Sequence, residues 1–210
     1  MEWHQTDAES LATIDAEMGT HPFAPAEYEI VRRVIYSTAD FEYRTLIEFS
    51  DDALSSGATA LASRSTLIVD VPMVQVGIIP ALQSTFANPV YCGMETITRP
   101  QTGKSQAAWG IQTLAGRYPE GIFIIGQSQS ALEQLLDLVE AGDVTPALII
   151  ATPSGFGNVE LTKVRLAQSQ VPYISIKGRK GSAVVAAAIA NALVDLSWQA
   201  YGKSTIPTGA

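Results

Sequence analysis

From Thr66 onward the chain alternates short apolar runs with stretches of helical pattern. The runs are TLIVDV (66–71), PVYCG (89–93), GIFIIG (121–126), ALIIAT (147–152) and PYISIKG (172–178), and the helical stretches are about 105–116, 129–141, 159–169 and 182–200. Such alternation is typical of a parallel sheet that is covered on both faces. Because crossovers are right-handed, few windings remain, and the flavodoxin-like order is the simplest. We therefore predict an α/β fold, a doubly wound parallel sheet of about five strands with helices on both faces.

The first 63 residues have a different, mainly helical pattern. Thr6 or Asp7 can cap a first helix that runs to about Met18, and Pro25 begins a second helix. A short strand is expected within 41–49, followed by a third helix that ends near Ser63. We predict one domain over 1–210, with a helical N-terminal segment (1–63), a sheet core (64–202) and a frayed tail (203–210).

Composition limits the partners that the chain can have. Charged residues make up only 16% of the 210 residues, which indicates extensive buried surface and favours an oligomer. The net charge of −8 argues against nucleic acid or an anionic membrane as a partner. The N-terminus lacks the basic and apolar regions of a signal peptide, and the longest apolar run, 183–193, is too short to span a membrane. With a lone Cys92, these features predict a soluble, cytoplasmic protein.

Several fragments imitate known catalytic motifs without completing them. QTGKS (101–105) ends like a phosphate-binding P-loop, but Thr98 stands where that motif needs its first glycine. GQSQS (126–130) resembles a nucleophile elbow but lacks its last glycine, and the only histidines, His4 and His21, lie in the N-terminal arm. No GxGxxG follows the first strand of the sheet core, and the chain lacks the ligands for a zinc site of its own. An all-oxygen Mg²⁺ site stays open.

The turns that follow the apolar runs remain as the candidate site. In an open α/β sheet, ligands bind beyond the carboxyl ends of the strands, where glycines let a ligand approach the backbone. The candidates are Asp70, Met73 and Gly77, then Gln127 and Ser130, then Gly155 and Phe156, then Lys177 and Arg179, with Arg99 and Lys104 adding positive charge. Each cation alone is more often a solvated surface charge, but their shared placement favours a site. A broad rim of this kind suits a large, flat polyanion better than a compact phosphate.

Four segments in this order and spacing resemble the precorrin-8X methylmutase (precorrin isomerase) family of cobalamin synthesis. They are VDVPMVQVGI, IIGQSQSAL, the run 147–156 with Lys163, and KGRKGSAVVAAAIANAL, and the likeness extends from Ser10 to about Leu196. The resemblance implies a homodimer that moves a methyl group from C11 to C12 of a corrin precursor. The product would be hydrogenobyrinate, or cobyrinate if cobalt is already present. No organic cofactor and no protein-bound metal are expected.

The resemblance also implies roles for single residues. Ser10 corresponds to the family's active-site serine, and Gln127 replaces an asparagine-type residue. Lys104 stands where the family often has arginine, so it keeps the charge but loses the bidentate fork. Met73, Val76 and Phe156 offer apolar surface for the face of a macrocycle; the alternative is a place in the core, which is favoured for Val76.

The main departure from the family pattern is Tyr36, which stands where the family has a proton-donating histidine. A phenol is a much weaker acid than an imidazolium, so Tyr36 is expected to act as a hydrogen-bond donor. We predict that it acts on a cobalt-loaded substrate, whose ring nitrogens already hold metal. An intramolecular methyl shift needs no nucleophile, only a held macrocycle and stabilised charge. The alternatives are a corrin-binding carrier that has lost the chemistry and, more remotely, a flavodoxin-like binder of FMN or a nucleotide. The alternative role for Tyr36 itself is only to close the apolar face of its helix.

Overall fold

The computed structural model of the protein describes residues 5–96 and 99–202. In this part of the chain, six strands form one sheet in the order β1-β6-β5-β4-β2-β3. The strands are β1 Ile47–Phe49, β2 Leu67–Val69, β3 Val90–Cys92, β4 Ile122–Ile125, β5 Leu148–Ala151 and β6 Tyr173–Ile176. Strands β2 to β6 are parallel and follow the flavodoxin-like order. The predicted fold class is confirmed, and the sixth strand, β1, is added antiparallel to β6 at one edge.

Helices cover both faces of this sheet. Those of the described residues are α1 Gln5–Met18, α2 Pro25–Thr38, α3 Tyr43–Leu46, α4 Ala53–Ala62, α5 Pro72–Gln83, α6 Gln106–Arg117, α7 Gln129–Glu140, α8 Val159–Ala167 and α9 Ala183–Tyr201, with a 3₁₀ turn at Gly93–Glu95. The predicted helices agree to within a few residues. The tail expected to fray, 203–210, lies outside the described residues.

Helix α5 was not predicted, because Gly77 and Pro80 interrupt its helical pattern. Both residues lower helix propensity, and the apolar run before them suggested only a strand and a turn. In the structure, Gly77 lets α5 lie against α9, since a Cβ there would come within 2.9 Å of the Cβ of Ala187. Tertiary packing therefore overrides the local preference at this position.

Two apolar layers sandwich the sheet, as the alternation of strand side chains requires. Along β4, Ile122 and Ile124 point into the layer formed with α2, α4, α5 and α9, while Phe123 and Ile125 point into the layer formed with α6 and α7. All four side chains are buried. The N-terminal segment contributes to the first layer, because α2 and α4 both pack on α9.

Helix α9 is, among the described residues, the one long and apolar enough to cross a membrane by length and composition. It lies against α2, α4 and α5 and over the sheet. Most of it is buried inside the protein, so its apolar character is accounted for by the core.

Candidate functional site

The carboxyl ends of β2, β4, β5 and β6 meet at one edge of the sheet, and Asp70 ties the first two together. Its buried carboxylate accepts N–H groups from Gly126 at 2.9 Å, Gln127 at 2.8 Å and Ser128 at 2.6 Å. Burial raises the pKa of Asp70, although the three N–H bonds oppose this shift. Asp70 was predicted to contact the substrate, but both of its oxygens bind backbone. Its position is that of a residue that holds the turn on which Gln127 is exposed.

Three serine hydroxyls meet where α6 and α7 begin. Ser105 caps α6 by accepting the N–H of Ala108, and Ser128 caps α7 by accepting the N–H of Ala131. Between them lies Ser130, 2.8 Å from the Ser105 hydroxyl and 3.1 Å from that of Ser128. The predicted site residue Ser130 thus joins two helix starts beside the turn that Asp70 holds.

The two cations of the preceding loop are placed differently from each other. Lys104 donates to the side-chain oxygen of Gln112 and lies 5.9 Å from the centre of the Trp109 ring. Arg99 is exposed and follows residues 97–98, which lie outside the described part of the chain. Lys104 would have to leave Gln112 to reach a carboxylate, as its predicted role requires.

The loop 177–181 after β6 carries the densest positive charge of the predicted site, and acidic residues of the N-terminal segment pair with much of it. Lys177 lies 2.8 Å from Glu48, and Lys180 lies 2.6 Å from both Asp40 and Glu42. These hydrogen bonds raise the pKa of both lysines. A substrate carboxylate would therefore compete with an existing partner at Lys177.

Arg179 is the cation of this loop that projects furthest into solvent. Its side chain is 60% exposed and lies 3.9 Å from Glu160, while its guanidinium sits 5.8 Å from the centre of the Phe156 ring. Phe156 is itself 89% exposed. The backbone N–H of Gly155 donates to the carbonyl of Arg179 at 3.1 Å. The structure thus brings three predicted site residues, Gly155, Phe156 and Arg179, into contact.

Lys163 is a buried cation whose role the sequence pattern does not predict. It is 4% exposed and donates to the carbonyl oxygens of Gly178 at 3.0 Å and Lys180 at 2.8 Å. Burial lowers its pKa from the ordinary value of 10.5 to about 8. The sequence does indicate that Lys163 is buried, because Val159, Lys163 and Leu166 share one face of α8 at helical spacing. A lysine on such an apolar face needs a buried partner.

A cleft of about 320 Å³ lies between α2, α5 and the beginning of α9. It is lined by Arg33, Tyr36, Ser37, Met73, Gly77, Ala183, Val184, Ala187, Ala188 and Asn191. Three predicted site residues, Tyr36, Met73 and Gly77, share this cleft. Because only Ser182 separates Ala183 and Val184 from the loop 177–181, the cleft adjoins the loop that carries Arg179.

The hydroxyl of Tyr36 donates to the carboxylate of Asp7, 2.6 Å away. This hydrogen bond raises the pKa of Tyr36, because the charged acceptor favours the protonated phenol. Ser10 lies three residues after Asp7 on α1, and its hydroxyl donates to the carbonyl of Thr6 at 2.9 Å. The sequence predicts Asp7 only as a helix cap, and no local pattern pairs it with Tyr36, 29 residues further along the chain.

Most of the predicted site residues therefore fall into groups that adjoin around the start of α9. One group lies at the cleft, one at the turn held by Asp70, and one at the contact between Phe156 and Arg179. Lys177 and Lys104 are held beside them by other partners. Within residues 5–96 and 99–202, no three His, Cys, Asp or Glu side chains are grouped closely enough to hold a metal ion.

Comparison with known proteins gives one consistent answer. The family model described as precorrin-8X methylmutase matches residues 5–196. The cobalt-precorrin-8 methylmutase of Synechocystis sp. is 37% identical, with 93% of this chain and 97% of that protein covered. The cobalt-precorrin-8 methylmutase of Priestia megaterium is 35% identical over 90% of this chain and 86% of its own.

A solved structure agrees with these sequence comparisons. The crystal structure of the precorrin-8X methylmutase from Thermus thermophilus superposes with a TM-score of 0.86 at 31% identity, over 94% of this chain and 99% of that chain. The family match spans nearly all of the described residues, including every element around the cleft. The chain belongs to the precorrin-8X methylmutase family, and is thus an isomerase of cobalamin biosynthesis that moves a methyl group within one molecule.

Proposed function

We propose that this chain converts cobalt-precorrin-8 to cobyrinate by moving the methyl group from C11 to C12. Two relatives that cover most of the chain are named for the cobalt-loaded substrate. The alternative, a corrin-binding carrier without activity, is not supported, because the relatives are methylmutases. The observation that carries the proposal is the position of Tyr36, which lines the cleft with its hydroxyl bound to a carboxylate.

Tyr36 acts in this proposal by hydrogen bonding and not by giving up its proton. A raised pKa makes proton release harder, whereas the hydroxyl remains a good donor. To reach a substrate, it exchanges Asp7 for an acceptor on the macrocycle. With cobalt already bound to the ring nitrogens, polarisation by a phenol replaces protonation by an imidazolium.

The edge of the sheet supplies the remaining contacts in the proposal. Arg179 and Gln127 are exposed there and are suited to bind carboxylates of the substrate side chains. Met73 and Phe156 offer exposed apolar surface to the face of the macrocycle. Because the methyl group migrates within one molecule, the protein needs only to hold the ring and stabilise the redistributed charge.

We further propose that the active form is a cytoplasmic homodimer built from one-domain subunits. Met73, Val76 and Val184 expose 64%, 70% and 49% of their surface beside the cleft, so the expectation that Val76 belongs to the core is wrong. An apolar surface of this kind is suited to burial against a second copy, which would also close the cleft. Sedimentation velocity on wild type and on Val76→Glu tests this: a wild-type dimer that the charge dissociates supports the assignment, and a wild-type monomer contradicts it.

Turnover of cobalt-precorrin-8 and of metal-free precorrin-8X by wild type, Tyr36→Phe and Tyr36→His tests the proposed function. We expect wild type to turn over the cobalt substrate and Tyr36→Phe to lose about 100-fold in kcat, as for removal of one donor to developing charge. Tyr36→His should gain activity on the metal-free substrate, because an imidazolium can donate its proton. The appearance of the product chromophore with time is the measurement.

Asp7→Asn changes the acceptor of the Tyr36 hydroxyl and is the variant matched to Tyr36→Phe. A neutral acceptor holds the phenol less tightly, so kcat on the cobalt substrate should rise about fivefold. Full activity of Tyr36→Phe would contradict the assigned role. A wild type that only binds the substrate, with a static spectral shift, would contradict the function itself.

A further inference from the structure

Lys163 occupies a position where a cation is costly. It lies on the buried face of α8, between the apolar residues Val159 and Leu166, with only 4% of its surface exposed. A buried ammonium is seldom a net source of stability, because removing it from water costs more than its contacts usually return. Its presence on this face therefore calls for a reason other than packing.

The partners of Lys163 are backbone carbonyls of the loop that carries Arg179. The ammonium bonds Gly178 O at 3.0 Å and Lys180 O at 2.8 Å, on either side of Arg179. The carbonyl of Arg179 accepts the N–H of Gly155 at 3.1 Å. Three consecutive carbonyls are thus held from the side of α8 and the turn before it, and two of them are held by one side chain.

The rest of the loop leaves little freedom to adjust. Gly181 has φ +141°, and a Cβ there would come within 2.1 Å of the carbonyl oxygen of Thr152. The hydroxyl of Thr152 donates to Ser182 O at 2.9 Å, which fixes the beginning of α9. Because its backbone is held on both sides, Arg179 can vary mainly in its side chain, which points outward over the Phe156 ring.

We propose that Lys163 is a positioning residue, which fixes the 178–180 backbone so that Arg179 presents its guanidinium to a carboxylate of the substrate. This inference rests on the proposed function, in which Arg179 binds the polycarboxylate precursor. Lys163 does not touch the substrate and acts through Arg179. Its removal should therefore weaken substrate binding with little effect on the chemical step.

A double-mutant cycle on the full-length enzyme tests this coupling. Lys163→Met keeps the length of the side chain and removes its N–H donors, and Arg179→Ala removes the guanidinium. Each should raise KM for cobalt-precorrin-8 about tenfold, with kcat within about threefold of wild type. The double variant should have a KM within about twofold of Arg179→Ala alone, because the two residues act as one unit. Arg165→Met, on the outer face of the same helix, is the control and should behave as wild type.

Limited trypsin digestion measures how firmly the loop 178–180 is held, and it does not depend on enzyme activity. Cleavage after Arg179, followed by mass spectrometry, should be about tenfold faster in Lys163→Met than in wild type or Arg165→Met. Lys163→Gln, which keeps two N–H donors without the charge, should shift KM and cleavage in the same direction by less. Lys163→Gln replaces Lys163→Met in the double-mutant cycle if the methionine variant does not fold.

The outcomes separate this inference from the function on which it rests. An inactive wild type would reject the proposed function, and unchanged trypsin cleavage in Lys163→Met would then also reject the role of Lys163. An active wild type whose Arg179→Ala variant has an unchanged KM would overturn the inference but not the methyl shift. Additive effects of Lys163→Met and Arg179→Ala would likewise overturn it.

Discussion

Two turns at the same edge of the sheet are held by buried charges of opposite sign. After β4, Asp70 collects three backbone N–H groups of the turn 126–128. After β6, Lys163 binds two backbone carbonyls of the loop 178–180. Each charged group comes from a different element, so each turn is fixed by tertiary contact and not by its own sequence.

The difference lies in which backbone groups are left to face a ligand. The turn held by the carboxylate has its N–H groups occupied, and it presents the Gln127 side chain. The loop held by the ammonium has its carbonyls turned inward, and it presents Arg179. Turning the carbonyls away from the rim favours anion binding near Arg179, since carbonyl oxygens repel carboxylates. The comparison predicts that stability depends more on Asp70 and that substrate affinity depends more on Lys163.

The largest effect is expected for Asp70→Ala. The substitution leaves one buried and two partly buried N–H groups without their acceptor, and we expect the free energy of unfolding to fall by about 4 kcal/mol. Urea denaturation at constant pH measures this, with the exposed Asp143→Ala as control. A loss below about 1 kcal/mol would show that the turn keeps its shape without the carboxylate.

Gly181→Ala should break the other turn. The added methyl group would meet the Thr152 carbonyl in a loop that is already strained for an L-residue, and we expect a loss of about 3 kcal/mol. Gly142→Ala is matched, because its φ is +77° but nothing lies within 4 Å of the added atom. It should cost only about 1 kcal/mol from backbone strain. Equal losses in thermal unfolding would mean that the contact with Thr152 is unimportant.

The two buried charges should respond to pH in opposite directions. The pKa of Lys163 is lowered from 10.5 to about 8, so between these values the unfolded state binds more protons than the folded state. Wild type should therefore gain about 2 kcal/mol relative to Lys163→Met between about pH 8 and about pH 9.5. The raised pKa of Asp70 acts above the ordinary value of 3.8, where the contribution present at low pH is lost as the pH rises. Urea denaturation at each pH measures this. A difference in the free energy of unfolding between wild type and Lys163→Met that stays constant over the alkaline range would contradict the lowered pKa of Lys163.

The smallest effect is expected at Phe156. Its ring lies under the guanidinium of Arg179 at an exposed site, where such a contact contributes about 0.5 kcal/mol. Phe156→Leu should therefore raise KM about twofold and leave the melting temperature unchanged. A rise above about tenfold would show that the ring does more than support Arg179, because leucine keeps the apolar surface that is proposed to face the macrocycle.

Local pattern was enough to predict the strand order and most of the helices. Apolar runs, helix caps and the rule of right-handed crossovers all depend on residues close together in sequence. Helix α5 was not predicted, because Gly77 is suited to the close contact with Ala187 and not to a helix by its own propensity. The short α3 and the exact ends of the strands were also not predicted, because local pattern defines element boundaries poorly.

The candidate site was harder to predict because its contacts join distant residues. Asp70 meets a turn 56 to 58 residues away, and Tyr36 meets Asp7 across 29 residues. The prediction of a cation cluster did not include the pairing of Lys177 and Lys180 with acidic residues. These partners are Glu48, Asp40 and Glu42. Residue type and spacing predicted which edge of the sheet carries the site, but the partners of each charge depend on the folded chain.

The antiparallel pairing of β1 with β6 has a consequence for how the protein is made. Ile47 pairs with Ile176, and α2 packs on α9, so elements that are made early in synthesis pack on the two that are made last. Until α9 is made, the apolar stripe of α2, which includes Ile30 and Val34, lacks the main surface that covers it. Newly synthesised chains should therefore pass through a long aggregation-prone stage, and a stop codon before Ala183 should yield insoluble product and not a shortened enzyme.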